Sequence, residues 1–553
     1  MRRSCWRWPA MGSRQPRRLV VALAVGGIVL VAGLALAGRA VLGPSESERS
    51  AERFAAAWER GDYAAMYALL TPDARAAVEE AELAAAYEDA RATATLTRVS
   101  AGPPTDEDGG VTVPVTAATA GFGEVRGELR TDVDDGLIDW RAELVFPGLA
   151  PGEELRRRMK APRRAKLVGR GGETIVEGPA GARSAPLGDA TAVAGTLGPP
   201  ASPAERDRLY ARGFPEDTAI GTGGLERVFE RELAGTPGGE LLAGKRVLAR
   251  SSPRPAEPVK TTIDTELERS TLAALAGRLG GIVVLDARTG EVRAVAGAAL
   301  TGAQPPGSTF KLVTTTAAFE AGLVKPSDRF AVETAAVIDG TEIANAGGES
   351  CGGNFADSFA HSCNSVFAPL GVKVGDRRLV EMAERYGVNR PPAIASADTS
   401  TMPQPDGIES DLALGATAIG QGELLTTPLQ MASIGQTIAA GGEQLPPRLA
   451  AGAPVPAPRR VTSKGIANRI TKLMEGVVAY GTGEEAAIPG VRVAGKTGTA
   501  ELGEGQKDNA WFVAFAPARR PKLAVAVLIA GGGAGGEVAA PVAKTVLEAG
   551  LAD

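Results

Sequence analysis

The sequence predicts a multidomain chain: an N-terminal transmembrane helix, a small α+β cone, an irregular region, and a C-terminal α/β domain whose antiparallel sheet is flanked by helices. Three observations carry that expectation. One apolar run near the N-terminus is long enough to cross a bilayer. Beyond it the hydrophobic period passes from helical to two, and later to alternating strands and helices. The length of 553 residues also exceeds that of one ordinary domain. With 44% hydrophobic and 23% charged residues, the chain can bury sizeable cores and is not a disordered one. A net charge of -5 leaves no basic footprint for nucleic acid.

The membrane reading comes first along the chain. Arg2, Arg3, Arg7, Arg14, Arg17 and Arg18 precede the apolar run 19–38. At about 1.5 Å per residue such a run spans roughly 30 Å, the thickness of a bilayer core. Positive charge on its N-terminal side makes 1–18 a cytoplasmic tail and sends the remainder out of the cell as a single-pass protein. The alternative is a cleaved signal peptide, for which Ala35, Ala37 and Gly38 supply small residues. Export places Cys351 and Cys363 in an oxidising compartment, where a disulfide between them is compatible with the sequence. One histidine and the absence of Cys-x-x-Cys argue against a metal site, and no cofactor is called for.

The α+β unit spans 46–150. Phe54, Trp58, Tyr63, Met66, Tyr67 and Leu70 recur at helical spacing, with a break at Arg60-Gly61-Asp62. Thr71 and Pro72 open a further helix as cap and first residue. From about Ala92 the period becomes two, through Val111, Val113 and Val115 to the strand-like stretches at 127–130 and 139–144. An aromatic-lined cone of this kind either holds a ligand or is a spacer with a packed core. Residues 151–257 are less regular. The basic run from Arg156 to Lys166 reads as a solvated face.

The chemistry lies in 258–553. A loop ending in Pro305-Pro306-Gly307 gives way to a helix opened by Ser308-Thr309-Phe310-Lys311. Ser308 then sits at a helix N-terminus, where partial positive charge favours a developing anion. Lys311, three residues on, shares its face and can take its proton if burial keeps the amine neutral. Ser-x-x-Lys alone is a weak signal. Ser362-Cys363-Asn364 follows 54 residues after Ser308, and Lys496-Thr497-Gly498-Thr499 another 134 after Ser362. Together they form the ordered Ser-x-x-Lys, Ser-x-Asn, Lys-Thr-Gly set of serine acyltransferases that react with penicillin. In that set Ser362 can relay a proton between Lys311, Lys496 and the leaving amine. Asn364 can hold the acyl side-chain amide, and Lys496 with Thr497 the substrate carboxylate. Gly498 lets the substrate backbone approach, and the N–H groups of Ser308 and Thr499 form an oxyanion hole. His361, the only histidine, stands beside Ser362 and invites a Ser–His reading. Lys311 already fills the base role, so packing or exposure is expected of it.

From about Val259 onward the chain resembles the transpeptidase domain of class B penicillin-binding proteins. The resemblance rests on the three motifs, on Ala418-Ile419-Gly420-Gln421-Gly422 with Thr426 to Gln430, and on Trp511 to Pro517. Phe54 to Trp58, Gly61-Asp62-Tyr63, Leu69-Leu70-Thr71 and Phe146-Pro147-Gly148 resemble the NTF2-like domain of the methicillin-resistance type. Gly221 to Glu230, ending in Leu233-Ala234-Gly235, is similar to the family's pedestal segment. Arg164 to Thr174 resembles its Arg-Gly…Asp-Arg-x-Gly element, with Gly169 where the aspartate is expected. The resemblance implies a peptidoglycan DD-transpeptidase in the cell membrane, its catalytic domain outside. It acts on stem peptides, is inhibited by β-lactams, and works beside a separate membrane glycosyltransferase, since no such signature precedes 259. A DD-carboxypeptidase, or a class D-like β-lactamase or β-lactam sensor, would use the same acylation site, and a catalytically dead scaffold is the non-enzymatic alternative.

Overall fold

A computed structural model describes residues 43–107, 110–186, 191–394, 396–503 and 505–552. The expected anchor, 19–38, lies outside them. Among the described residues no helix is long and apolar enough to cross a membrane. The chain divides into two compact units.

The first unit holds residues up to 160 with 207–216 and 237–252. Helix α1 (Glu46–Arg60) starts with a capping box between Ser45 and Glu48 and ends at Gly61, whose φ of 68° suits glycine. Helices α2 (Tyr63–Ala68), α3 (Pro72–Ala77) and α4 (Glu80–Ala94) follow, and the Thr71 hydroxyl caps α3 as its sequence predicts. Strand β1 (Leu96–Ala101) and strand β2 (Thr105–Glu107) pair with one edge of the long β3 (Gly110–Thr119), and β4 (Gly123–Thr131) with the other. Val111, Val113 and Val115 face inward, as their alternation requires, onto a core with Trp58, Tyr87 and Phe146. Those three rings are at most 1% exposed, so this interior is packed with aromatic side chains.

Two strand expectations fail here. The strand expected from Ala92 begins only at Leu96, because α4 runs on to Ala94 and stops at the left-handed Thr95, φ 53°. Residues 139–144 are not a strand, and Ala142–Val145 is a 3₁₀ turn. The Tyr87 hydroxyl donates to Leu144 O at 3.1 Å, and Trp140 Nε1 donates to the Tyr87 oxygen at 3.3 Å. Docking onto this aromatic centre sets the segment's alternation.

Residues 151–257, expected as one domain, divide between the units. The strands Leu155–Lys160, Gly238–Ala243 and Arg246–Ser251 form one sheet and belong to the first. The basic run also splits. Arg156, Arg158 and Lys160 are exposed on alternate positions of their strand. Arg157 turns inward, donating to Ala92 O at 2.9 Å and lying 3.5 Å over the Tyr210 ring.

In the second unit Arg164 is buried and donates to Glu226 at 2.6 Å and Glu230 at 2.8 Å, while Arg183 also donates to Glu226, at 2.8 Å. Glu226 and Glu230 lie in the stretch Gly221 to Glu230, so an ion cluster ties that stretch to Arg164 and Arg183. Gly169 has no space for the family's aspartate, since a Cβ there would lie 2.6 Å from Thr265 Cγ2.

The rest of this unit is a sandwich. After α5 (Thr265–Leu275), strands β5 (Gly280–Asp286) and β6 (Val292–Gly297) form a hairpin. Helix α6 (Lys311–Glu320), α7 (Phe355–Ala360), α8 (Asn364–Val374) and α9 (Lys464–Tyr480) follow. Strands β7 (Ala494–Ala500), β8 (Asn509–Ala516) and β9 (Leu523–Ile529) and helix α10 (Gly535–Leu551) complete it. The antiparallel sheet has the order β6-β5-β9-β8-β7. Period two sorts its side chains: Val284, Phe512 and Val527 join a core with α5 and α10, and Val283, Val513 and Ala526 join a core with α6 and α9. Both faces are covered, which is why β8 reads as continuous hydrophobicity. Strand β7, at the sheet's edge, carries Lys496.

On α5, Glu268 is fully buried; one oxygen accepts from Val295 N–H at 2.8 Å and the other has no partner. Burial pushes its carboxyl up to about 8, against the Val295 bond. The fold therefore holds a proton that the unfolded chain releases near about pH 4.3. That stability is complete below this pH and is lost, by at most about 1.4 kcal/mol per pH unit, as pH rises toward 8. Glu268→Gln keeps an acceptor for Val295 and removes the titration. By calorimetry the two proteins should melt alike near pH 4.5 and the variant higher at pH 8; parallel melting curves at both pH values would contradict the assignment.

Candidate active site

The Ser308 turn is built by close backbone contacts. Gly307 has φ 52°, and a Cβ there would lie 2.5 Å from Thr499 O, so the turn rests directly on β7. Thr309 Oγ1 donates to Pro306 O at 2.7 Å, and Trp511 Nε1 donates to Pro305 O at 2.8 Å from the neighbouring strand. Gly307–Phe310 is a 3₁₀ turn that continues into α6. In such a turn positions three apart eclipse, which puts Ser308 and Lys311 on one side.

Ser362 lies between α7 and α8 in the left-handed region, φ 62°, where a serine costs about 1–2 kcal/mol. Its neighbours fix that conformation. Ser362 N–H donates to Phe359 O at 3.2 Å and Cys363 N–H to Ser358 O at 2.9 Å. Cys363 is bonded to Cys351, their Cα atoms 5.4 Å apart. The sequence-compatible disulfide is thus formed, and it tethers the middle residue of Ser-x-Asn. His361 is exposed at the end of α7, its ring centroid 6.4 Å from that of Tyr480. It bonds to neither Ser308 nor Ser362.

The two lysines meet at Ser362. Lys311 Nζ lies 2.7 Å from Ser362 O, 2.7 Å from Asn364 Oδ1 and 3.2 Å from Ser362 Oγ. Lys496 Nζ donates to the same Oγ at 2.9 Å and to Thr497 O at 3.1 Å. Both side chains are fully buried, against the rings of Phe367 (5.2 Å) and Phe359 (5.7 Å) respectively. Burial, and then the charge of Lys496, hold the Lys311 amine well below the usual lysine range. Burial brings Lys496 down to about 7. A neutral Lys311 has two N–H groups and one lone pair. Ser362 O and Asn364 Oδ1 can only accept and take the N–H groups, leaving the lone pair to the Ser362 hydroxyl proton. Ser362 Oγ then accepts from Lys496, and an unbroken proton path links the two amines. The Lys311 amine is turned toward Ser362 and Asn364 rather than bonded to the Ser308 hydroxyl.

Asn364, expected to hold a substrate amide, has its Oδ1 accepting from Lys311 and one Nδ2 N–H donating to Ala344 O at 2.8 Å, and the amide's second N–H takes no part in these bonds. One residue behaves differently from the sequence reading. Gly498, expected to admit substrate, has its missing side chain directed at protein: a Cβ there would meet Pro306 O at 2.7 Å and Thr309 Cγ2 at 2.9 Å. Its smallness lets β7 lie on the Ser308 turn. Thr497 is 5% exposed and Thr499 half-buried. Phe359, Phe367 and Thr482 escaped sequence reasoning. Thr482, whose hydroxyl lies 2.5 Å from that of Thr497, sits in a Gly-Thr-Gly turn that could have been flagged as backbone punctuation. Among the described residues no cluster of His, Cys, Asp and Glu is suited to a metal.

Residues 280–548 match the family described as penicillin binding protein transpeptidase domain, and 46–153 the NTF2-like N-terminal transpeptidase domain. The chain is 38% identical over 280 residues to the peptidoglycan D,D-transpeptidase PbpA of Mycobacterium tuberculosis, covering 46% of this chain and 56% of that one. It is 27% identical over 403 residues to the peptidoglycan D,D-transpeptidase MrdA of Acinetobacter baumannii, 60% of each. The chain thus spans a little over half the length of these curated relatives. Among solved structures, the penicillin G acyl-enzyme of M. tuberculosis penicillin-binding protein A superposes with a TM-score of 0.57 at 27% identity, covering 70% of this chain and 100% of that one. Pseudomonas aeruginosa PBP2 in complex with WCK 5153 gives 0.61 at 27% identity, covering 71% and 97%.

Since the charge of Lys496 helps depress the Lys311 amine, its removal should relax that shift. In a lysine-resolved NMR titration, Lys496→Met should raise the Lys311 pKa. An unchanged or lower value would show that the two amines do not share a field.

Proposed function

We propose that this chain, which belongs to the class B penicillin-binding proteins and carries their NTF2-like N-terminal domain, is a serine-type peptidoglycan D,D-transpeptidase. The carrying observation is the meeting of two buried lysine amines at Ser362 Oγ beside the Ser308 turn.

The acyl donor is a stem peptide ending in D-Ala-D-Ala. Lys311, neutral through burial, takes the Ser308 proton as Ser308 Oγ attacks the penultimate carbonyl. The resulting oxyanion is held by the N–H groups of Ser308 and Thr499, whose backbones are brought together by the Gly307 contact. Lys496 and Thr497 bind the terminal carboxylate, which favours the charged form of Lys496. Ser362 passes a proton to the departing D-alanine amine, leaving an ester at Ser308. An amine of a neighbouring stem peptide attacks that ester, its proton passes along the same path to the Ser308 oxygen as the ester C–O bond breaks, and the cross-link forms with Ser308 restored. Asn364 keeps Lys311 in place throughout. β-Lactams acylate Ser308 by the same route.

The apolar run 19–38 anchors the chain in the cell membrane, with 1–18 in the cytoplasm and the NTF2-like (46–150), pedestal (151–257) and transpeptidase (258–553) regions outside. Glycan polymerisation falls to a separate membrane glycosyltransferase.

The test is product analysis with a pentapeptide dimer as donor and an amine acceptor. The full chain should yield cross-linked product and free D-alanine, and Ser308→Ala should lose both together with penicillin labelling. Lys311→Met should slow acylation by about 10²–10⁴-fold. Hydrolysed donor without cross-links would make the protein a DD-carboxypeptidase, and rapid turnover of the penicilloyl ester a β-lactamase.

A further inference from the structure

The turn Gly481-Thr482-Gly483, directly after α9, ties three parts of the site together. Thr482 N–H donates to Ala360 O, at the end of α7, at 3.1 Å, and the Thr482 hydroxyl lies 3.3 Å from the same carbonyl. That hydroxyl is 2.5 Å from Thr497 Oγ1 on β7. A Cβ on Gly481 would lie 2.4 Å from Ala360 O, and one on Gly536, in the first turn of α10, 2.2 Å from Thr482 O. The turn is therefore seated without slack between the segment leading to Ser362, the Lys-Thr-Gly strand and the C-terminal helix. Thr482 is nevertheless exposed, whereas Thr497 is 5% exposed.

We infer that Thr482 is a positioning residue for the acyl donor's terminal carboxylate, acting through the Thr497 hydroxyl; this rests on the proposed reading of the site. Ala360 O can only accept, so the Thr482 proton points to it, and Thr497 donates to Thr482 Oγ1. A carboxylate also only accepts. When it arrives, the Thr497 proton turns to it, and Thr482 exchanges its long bond to Ala360 O for a short one into Thr497 Oγ1. Two hydroxyls in series then donate toward the negative charge, each polarising the next. An ester at the same place gains less, because a charged acceptor forms the stronger bond. Thr482 thereby adds preference for ionised donors, such as peptides ending in free D-alanine, over neutral ones.

The experiment compares acylation of Ser308 in the full chain by benzylpenicillin and by its methyl ester, followed by intact mass. Thr482→Val should slow the acid by about tenfold and the ester by less than about twofold, and Thr482→Ser, which keeps the hydroxyl, should stay within about twofold of wild type for both. Equal slowing of acid and ester by Thr482→Val would reduce Thr482 to a packing role, and no slowing of either would remove the relay. If Thr482→Val fails to fold, an unchanged acid-to-ester ratio in Thr482→Ala overturns the inference in its place. A wild-type chain that gains no mass at Ser308 with either probe would overturn the reading of the site itself.

Discussion

Two lysine amines without access to water converge on the hydroxyl of Ser362, and the organisation of the second unit follows from keeping them there. A buried ammonium is costly unless it is paired, and neither lysine has a carboxylate partner. The available response is to give up protons, which is the state a general base requires. Phe359 and Phe367 supply the apolar walls, and Asn364 and the Ser362 carbonyl supply acceptors that orient Lys311 without neutralising a charge. Lys496 then serves two ends. Its positive form depresses Lys311, and its position on β7 places an amine where a substrate carboxylate can restore its charge.

Holding these groups demands backbone contact closer than side chains allow. Gly307 against Thr499, Gly498 against Pro306 and Gly481 against Ala360 each leave no room for a Cβ. Ser362 accepts a left-handed conformation that its residue type disfavours, and it does so next to the Cys351–Cys363 disulfide and between two helices. Strain at Ser362 is thus sustained by covalent and helical constraints around it.

Much of this was legible in the sequence, for physical reasons. Ser308, Lys311, Ser362, Asn364 and Lys496 stood out because acyl transfer needs a nucleophile, a base and a carboxylate holder at fixed spacing. The sheet was legible where Ala510 to Phe515 runs unbroken apolar, as a strand covered on both faces does, although Val491 to Val493, expected in the same sheet, precede β7; the Thr71–Pro72 cap was legible because its chemistry is local. What escaped was non-local. No pattern in Asp139 to Leu144 tells that Tyr87 and Trp140 will dock it as a turn. A run of arginines does not reveal that Arg157 and Arg164 turn inward while Arg156 and Arg158 stay outside. Nor does Ser-x-Asn tell that its asparagine oxygen will accept from Lys311, or that Thr482 will face Thr497.

The most direct measurement is the pH dependence of the rate at which benzylpenicillin acylates Ser308. With Lys311 held neutral by burial, the rate should already be at its plateau below neutral pH and decline above about pH 7, as Lys496, brought to about 7 by burial, loses the charge proposed to receive the carboxylate. A rate climbing about tenfold per pH unit to near pH 10, the titration of an ordinary lysine, would contradict the role assigned to that buried amine.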